Sequence, residues 1–368
     1  MDPPPPPTVQ IISECYITPN PSSEASKKPV FLSAWDLALL SADYIQKGHL
    51  FAKPPSFDLT TFLHTLKHSL SLTLVHFYPL AGRLSTAKGE DGAGFTVFID
   101  CENSPGARFV LASVDLTVAH ILSPRDVPLI VQSFFDHDRA INHDGHERSL
   151  LTIQVTELSN GVFLGFSMNY MVGDGTSFWN FLNTLSEIFR ANNHQNPISR
   201  RQPIHDRWFP ENHGPILNLP FTHHDQFISR HEAPPLRERG HCGGGRAFEH
   251  GLGWAAWKLH RAVASHDNAV IREWVNAWIE SAFVYRLGDF FDPCSVMMGS
   301  SPRFNMYSVE FGLGKAVAIR SGYANKFDGK VSLYPGIEGG GSMDLEICLS
   351  HQCMGALESD MECMDTLA

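Results

Sequence analysis

Apolar side chains recur along the chain with two different periods, and each period predicts one kind of secondary structure. Where apolar and polar residues alternate, successive side chains point to opposite faces of a β-strand. Where apolar residues recur every three or four positions, they form one face of a helix. In the first half of the chain these patterns predict strands at 9–17, 95–101 and 107–114 and helices at 35–44, 57–77 and 176–191.

Two further predicted strands, 149–158 and 162–170, flank an Asn160-Gly161 pair. Asn-Gly favours positive φ at both turn positions, so the two strands form a predicted β-hairpin. The second strand is almost entirely apolar, which predicts that it is covered on both faces. It ends at Tyr170 and leads through a tight Gly-Asp-Gly turn into the following helix.

The second half of the chain begins with a segment of different composition. Residues 194–235 are rich in proline, histidine and asparagine and lack periodicity, which predicts a long surface crossover. Beyond it the patterns predict helices at 254–266 and 271–288 and strands at 295–304, 315–321, 330–334 and 343–349. A chain of 368 residues exceeds the usual size of a single core. We therefore predict an N-terminal domain (1–195), a crossover loop (196–235) and a C-terminal domain (236–368).

Composition and charge narrow the range of partners and compartments. Hydrophobic residues make up 43% of the chain and charged residues 18%, which is typical of a folded protein. The formal net charge of −11 repels nucleic-acid backbones, so we expect no nucleic-acid partner, and coenzyme A would need a local basic patch. Seven cysteines without a Cys-x-x-Cys pair indicate reduced thiols. Without a signal-peptide pattern or an apolar run of about 18 residues, we expect a cytoplasmic protein and no membrane partner.

Four phrases occur in a fixed order along the chain. They are Leu32-Ser-Ala-Trp-Asp36, Tyr78-Pro-Leu-Ala-Gly-Arg83, the segment from Tyr170 to Asp174 and Gly175, and Ser300-Ser-Pro-Arg-Phe304 followed by Glu310-Phe-Gly-Leu-Gly314. In this order the phrases resemble those of the plant BAHD acyl-CoA-dependent acyltransferases, whose active-site motif is H-x-x-x-D-G. The resemblance covers roughly residues 9–240 and 248–368.

The resemblance implies a fold and a chemistry. The fold is α/β, with two chloramphenicol-acetyltransferase-like domains and an interdomain channel. The reaction moves an acyl group from a CoA thioester to a hydroxyl or amine of a small specialised metabolite. No cofactor or metal is bound, acyl-CoA is the co-substrate, and the family suggests a monomer. The sequence does not single out the residues that bind coenzyme A.

The proposed catalytic residues are Tyr170 and Asp174, and the first departure from the family pattern is at Tyr170. In the family, a histidine at the position of Tyr170 takes the proton from the attacking hydroxyl or amine. A phenol with a pKa of about 10 is ionised only to about one part in a thousand at pH 7. Loss of a positioned base costs about 10²–10⁴ in rate. The tyrosine either fills the channel or donates a hydrogen bond to a bound carbonyl. Asp174 is predicted to support the strand-to-helix turn.

Other motif residues are predicted to have structural roles. Gly173 and Gly175 are predicted to be turn glycines with unusual φ. In the Gly-rich motif formed by Glu310, Phe311, Gly312 and Gly314, a glutamate stands where the family has an aspartate, and Leu313 replaces a tryptophan. We treat both changes as tolerable. The His143-Asp144-Gly-His146-Glu147 stretch is predicted to be a polar loop and not a metal site.

The second departure is a missing block in the C-terminal domain. Leu236-Arg-Glu-Arg239 resembles the start of that domain, yet the chain runs from there almost directly to the helix containing Trp254. The resemblance implies that this block contains helices, strands and the arginine that pairs with the motif aspartate. We therefore predict a truncated second domain, in which Asp174 pairs with another cation such as Arg303, faces water or takes up a proton.

These departures leave three functional hypotheses. The first is an acyltransferase of BAHD type, with activity impaired or lost because of Tyr170. The alternative is a catalytically inactive ligand-binding pseudoenzyme, or the product of a damaged gene model. A further alternative is a lyase-type reaction in the same channel, in which the tyrosine protonates a leaving group.

Overall fold

The computed structural model describes residues 7–22, 28–89, 94–191, 202–221, 228, 230, 245–286, 295–301, 303–324 and 326–360. The strands are β1 (Gln10–Ile17), β2 (Val30–Phe31), β3 (Ile45–Ala52), β4 (Arg83–Lys88), β5 (Phe95–Asp100), β6 (Ala107–Ser113), β7 (Leu151–Glu157), β8 (Gly161–Met168), β9 (Met297–Gly299), β10 (Ala318–Ser321), β11 (Lys330–Pro335) and β12 (Met343–Cys348). The helices are α1 (Ala34–Ala38), α2 (Leu59–His76), α3 (Val118–Leu122), α4 (Gly175–Ala191), α5 (Gly245–Ala264), α6 (Asn268–Glu280) and α7 (His351–Ser359).

A six-stranded sheet with the order β1-β6-β7-β8-β3-β10 forms the centre of the fold. Its neighbours are antiparallel except for β6 and β7. Every residue of β8 is buried, which confirms the prediction of a strand covered on both faces. The predicted hairpin is also confirmed, because β7 and β8 pair along their length. Smaller sheets have the orders β2-β5-β4 and β12-β11-β9.

One face of the central sheet packs against α2 and α4. Asp58 caps α2 by accepting a hydrogen bond from the Thr61 amide at 2.9 Å, which satisfies one free amide of the first turn. Buried side chains from both helices, such as Leu66 and Phe181, contact the core formed by β7 and β8. Phe311, from the second half of the chain, lies in the same core. The motif helix α4 is therefore fixed between the sheet and the Gly-rich motif.

The helix predicted at 35–44 forms only over its first turn, and the rest of that prediction is wrong. Ser33 and Asp36 form a capping box at the start of α1, but the helix ends at Ala38. The chain then turns into β3, which the sequence patterns did not predict. Buried polar residues such as Gln46 and His49 break the alternation in β3, although it lies between β8 and β10 inside the sheet.

The two predicted domains share structure. Strand β10 belongs to the predicted C-terminal domain, yet it pairs with β3 of the N-terminal domain. Helix α6 contacts α1 through stacked rings of Trp35 and Trp274, whose centroids are 3.8 Å apart. The boundaries at 195 and 236 stay predictions. Residues 1–6 of the N-terminal proline run, residues 196–201, 222–227, 229 and 231–235 of the crossover, and residues 236–239 lie outside the described residues.

The second half of the chain has less sheet than predicted and more exposed apolar surface. The strand predicted at 295–304 is only the three-residue β9, and the strand predicted at 315–321 begins at Ala318. On α5, Leu259 and Val263 are 70% and 76% exposed, and Trp257 is 49% exposed. These side chains therefore lie outside the core among the described residues. None of the described helices is both long and apolar enough to cross a bilayer.

Candidate active site

The turn between β8 and α4 carries the motif, and two fully buried asparagines hold its first residues. Asn142 accepts a hydrogen bond from the Tyr170 amide at 2.9 Å. The Asn169 side chain donates to the Asn142 carbonyl at 2.8 Å and accepts from the Met171 amide at 3.0 Å. Because both side chains have 0% exposure and are bonded on each side, the backbone at Tyr170 is closely fixed. Sequence patterns gave no indication of this role for Asn142, which is 28 residues away.

The side chain of Tyr170 is half-buried and lines a cavity of about 480 Å³. Burial raises the pKa of its phenol above the usual value of 10, and the charge of Asp174 raises it further. The phenol is therefore neutral at physiological pH. A neutral phenol can donate a hydrogen bond, but it is a very weak acceptor for the proton of an attacking alcohol.

Asp174 caps the helix that follows it. One carboxylate oxygen accepts a hydrogen bond from the Ser177 amide at 2.8 Å, and its carbonyl accepts one from the Phe178 amide at 2.9 Å. The residue is exposed, so its carboxylate faces water, which was one of the three outcomes expected for Asp174. Among the described residues Asp174 forms no ion pair with Arg303, the predicted candidate, although both line the same cavity. The capping bond and solvent replace that partner.

Arg207, from the segment predicted to be a surface crossover, holds the other end of the turn. Its guanidinium donates to the Asp36 carboxylate at 3.0 Å and to the carbonyls of Val172 at 2.8 Å and Met171 at 3.2 Å. The side chains of Arg207 and Asp36 are only 17% and 16% exposed. A largely buried, charge-assisted network therefore clamps the backbone between Tyr170 and Asp174. Asp36 lies in one of the recognised phrases, but its partner was missed.

Two cavities meet at the motif. The larger, of about 950 Å³, is lined by Asp174 and Arg303, and the smaller contains Tyr170 in its wall. Trp179 and Phe304 line both cavities, and their ring centroids lie 6.2 Å apart. The motif is thus reached from two sides, at Tyr170 from the smaller cavity and at Asp174 from the larger one.

The motif glycines differ from the prediction of unusual φ. Neither Gly173 nor Gly175 has a positive φ. A β-carbon at Gly173 would lie 2.6 Å from that of Ser177, so close approach to the first turn of α4 requires the glycine. A β-carbon at Gly175 would lie 3.8 Å from the ring of Phe304, which is an ordinary contact. The prediction of unusual φ was therefore wrong for both residues, and the turn needs space only at Gly173.

The Gly-rich motif packs on α4. The Ser186 hydroxyl donates to the Glu310 carbonyl at 2.8 Å and accepts from the Glu310 amide at 2.9 Å. Phe311 is fully buried. Gly312 and Gly314 have φ values of 72° and 79°, which side chains strongly disfavour. These contacts fit the structural role predicted for the motif.

Of the described histidines, His205 lines the larger cavity, where its Nε2 contacts the His76 carbonyl at 2.8 Å, but none lines the smaller cavity that contains Tyr170. His49 is buried beside Trp179, where its Nε2 contacts the Met306 carbonyl at 3.0 Å and burial lowers its pKa to about 4. It lines neither cavity. In the polar loop, His146 contacts the His143 carbonyl at 2.7 Å. Within the described ranges, no three His, Cys, Asp or Glu side chains are grouped to hold a metal ion.

Sequence comparisons find relatives along almost the whole chain. A model of the transferase family matches residues 8–239 and 244–364. An uncharacterized acetyltransferase of Arabidopsis thaliana is 29% identical over 443 residues, covering 97% of this chain and 99% of that protein. The Arabidopsis thaliana BAHD acyltransferase DCR is 27% identical over 450 residues, covering 96% of this chain and 92% of that protein. The first alignment is 75 positions longer than this chain of 368 residues, so the chain is shorter than its relatives.

Solved structures show the same fold. The crystal structure of vinorine synthase has a TM-score of 0.61 and 16% identity, covering 95% of this chain and 97% of that one. The structure of F. sporotrichioides TRI101 complexed with coenzyme A and T-2 has a TM-score of 0.62 and 15% identity, covering 92% of this chain and 98% of that one. These neighbours confirm the predicted α/β fold of two chloramphenicol-acetyltransferase-like domains. The family match, over almost the whole chain, establishes that the chain belongs to the BAHD transferase family, whose members use acyl-CoA as co-substrate.

Proposed function

We propose that this protein moves an acyl group from a CoA thioester to a hydroxyl or amine of a small specialised metabolite, with turnover impaired by Tyr170. The observation that carries the proposal is the neutral phenol of Tyr170, fixed by the bond from its amide to Asn142. Tyr170 and Asp174 are the proposed site residues. We also propose a monomeric, cytoplasmic protein divided at 1–195, 196–235 and 236–368.

The impairment follows from the proton balance of acyl transfer. The acceptor oxygen or nitrogen attacks the thioester carbonyl carbon, the C–S bond breaks, and the CoA sulfur leaves with the electron pair. The acceptor must lose its proton, which finally resides on the thiol of free CoA. A neutral phenol can stabilise the carbonyl oxygen as negative charge develops there. The phenol is too weak a base to take the proton from the acceptor, so water takes that proton.

The experiment is to restore the base at this one position. Purified wild type, Tyr170→His and Tyr170→Phe are incubated with acetyl-, malonyl- and aromatic acyl-CoAs and a panel of alcohols and amines. We expect Tyr170→His to exceed wild type by about 10²–10⁴ in rate. Tyr170→Phe controls for loss of the hydroxyl alone. If wild type turns over fast and both variants are slower, the proposed impairment by Tyr170 is contradicted. The phenol would then be a catalytic group.

A second candidate is a ligand-binding pseudoenzyme or the product of a damaged gene model. The aligned relatives are longer, and the family match is interrupted at residues 240–243, where the missing block was predicted. Full-length transcripts distinguish a ligand-binding pseudoenzyme from the product of a damaged gene model. A transcript that contains the block favours a damaged gene model. If transcripts lack the block and Tyr170→His remains inactive, a thermal shift with CoA esters would favour a binding protein.

The third candidate is a lyase-type reaction. The neutral phenol of Tyr170 in the wall of a cavity favours this option, because such a group can protonate a leaving atom. Product formation from an ester or amide without any CoA donor would support it. Loss of that activity in Tyr170→Phe would assign the proton to the phenol.

A further inference from the structure

Three lysines line the smaller cavity, which also contains Tyr170. Lys47 lies on β3 of the central sheet, Lys330 opens β11, and Lys326 lies in the loop before it. The other walls are largely apolar and are formed in part by Phe178 and Met297. An apolar cavity with several ammonium groups is unusual in a chain whose formal net charge is −11.

Among the described residues, one carboxylate contacts these lysines, and both of its oxygens already accept hydrogen bonds. Glu346 forms an ion pair of 2.7 Å with Lys326 through one oxygen. Its other oxygen accepts hydrogen bonds of 2.7 Å from Ser321 and from Tyr334. Lys47 donates to the Tyr334 hydroxyl at 3.0 Å. Glu346 therefore neutralises about one of the three positive charges.

Within the described part of the chain, Lys330 is the member of this cluster that lacks a partner. Only 9% of the residue is exposed, and within the described ranges its ammonium has neither a hydrogen bond nor an ion pair. Burial lowers its pKa and also lowers that of Lys47, the latter to about 8. The neighbouring Cys348 thiol, whose pKa is raised by burial, adds no negative charge at neutral pH. The Lys330 nitrogen is not one of the fully buried polar atoms without a partner, so it reaches the cavity, where a bound anion would pair with it.

We propose that Lys330, supported by Lys47 and Lys326, binds the carboxylate of a small acid whose apolar body lies along the methionine and aromatic walls near Tyr170. The apolar walls favour a carboxylic acid over a nucleotide, because several phosphates and a ribose would meet few polar groups there. The carboxylate belongs to the acceptor or to the acyl group. This carboxylate site rests on the proposed function in one respect, because it takes the smaller cavity to be part of the substrate channel.

The test measures binding without turnover, so it can fail independently of the acyltransferase proposal. Wild type, Lys330→Gln and Lys88→Gln are titrated calorimetrically with 3-phenylpropanoate and with the uncharged 3-phenylpropanamide. Lys88 is an exposed lysine on β4, and its variant carries the same change in net charge. We expect wild type and Lys88→Gln to prefer the acid by about tenfold or more, and Lys330→Gln to lose that preference.

A second variant keeps the charge and changes only the geometry. A β-carbon at Gly299 would overlap the end of the Lys330 side chain, so Gly299→Ala displaces the ammonium without removing it. We expect this variant to lose most of the preference, which provides a test even if Lys330→Gln does not fold. The proposal is overturned if wild type shows no preference for the acid up to its solubility limit, or if Lys330→Gln retains the preference. Displacement of the acid by adenosine 3′,5′-bisphosphate would also overturn it, by assigning the lysines to the phosphates of CoA.

Discussion

Replacing Arg207 by glutamine should loosen the turn between Tyr170 and Asp174 without touching either residue. The substitution removes the ion pair to Asp36 and the hydrogen bonds to two turn carbonyls. Each hydrogen bond to a charged group contributes about 1.5–3 kcal/mol, and breaking a buried pair costs about 3–5 kcal/mol. Because both side chains retain some exposure, we expect a loss of about 3 kcal/mol in the free energy of unfolding.

The matched control is Arg303→Gln. Arg303 is an exposed arginine that lines the same large cavity and forms no ion pair among the described residues. Urea unfolding followed by tryptophan fluorescence measures the stability of both variants. Hydrogen exchange at Ser177 and Phe178, whose amides bond to Asp174, reports on the turn itself. We expect both amides to exchange faster in Arg207→Gln alone. Equal stability and equal exchange in the two variants would refute the idea that Arg207 holds the turn.

Two further predictions concern buried polar groups. Asn142→Ala leaves the Tyr170 amide and the Leu39 carbonyl without their partner, so we expect a stability loss of about 1–3 kcal/mol that the exposed Asn103→Ala does not show in the same urea titration. His49 has a pKa of about 4 in the folded protein and 6.5 when unfolded, so the unfolded state takes up the proton first and stability falls as the pH drops from 6.5 to 4. His49→Gln should remove up to about 3 kcal/mol of that fall, and an unchanged pH profile of the melting temperature would contradict it.

The sequence predicted the elements whose contacts are local. The β7–β8 hairpin followed from Asn160-Gly161, and α4 followed from its apolar spacing, so the position of Tyr170 between strand and helix was predictable. The interactions that hold Tyr170 in place were not predictable from the sequence. Arg207 contacts an aspartate 171 residues away, and periodicity carries no information about such long-range pairs. The lysine cluster was missed for the same reason, because β3 and β11 meet only in the folded chain.

The two departures from the family pattern differ in kind. The arginine expected to pair with Asp174 is not needed to neutralise a buried charge, because the carboxylate is exposed and caps α4. Arg207 and Asn142 meanwhile hold the motif backbone through hydrogen bonds to Val172 and Tyr170. The change at Tyr170 alters only the chemistry of one side chain within that fixed frame. A single substitution can therefore place a base at this position while the backbone around it stays fixed. For this reason Tyr170→His is the decisive test of whether this site can transfer an acyl group.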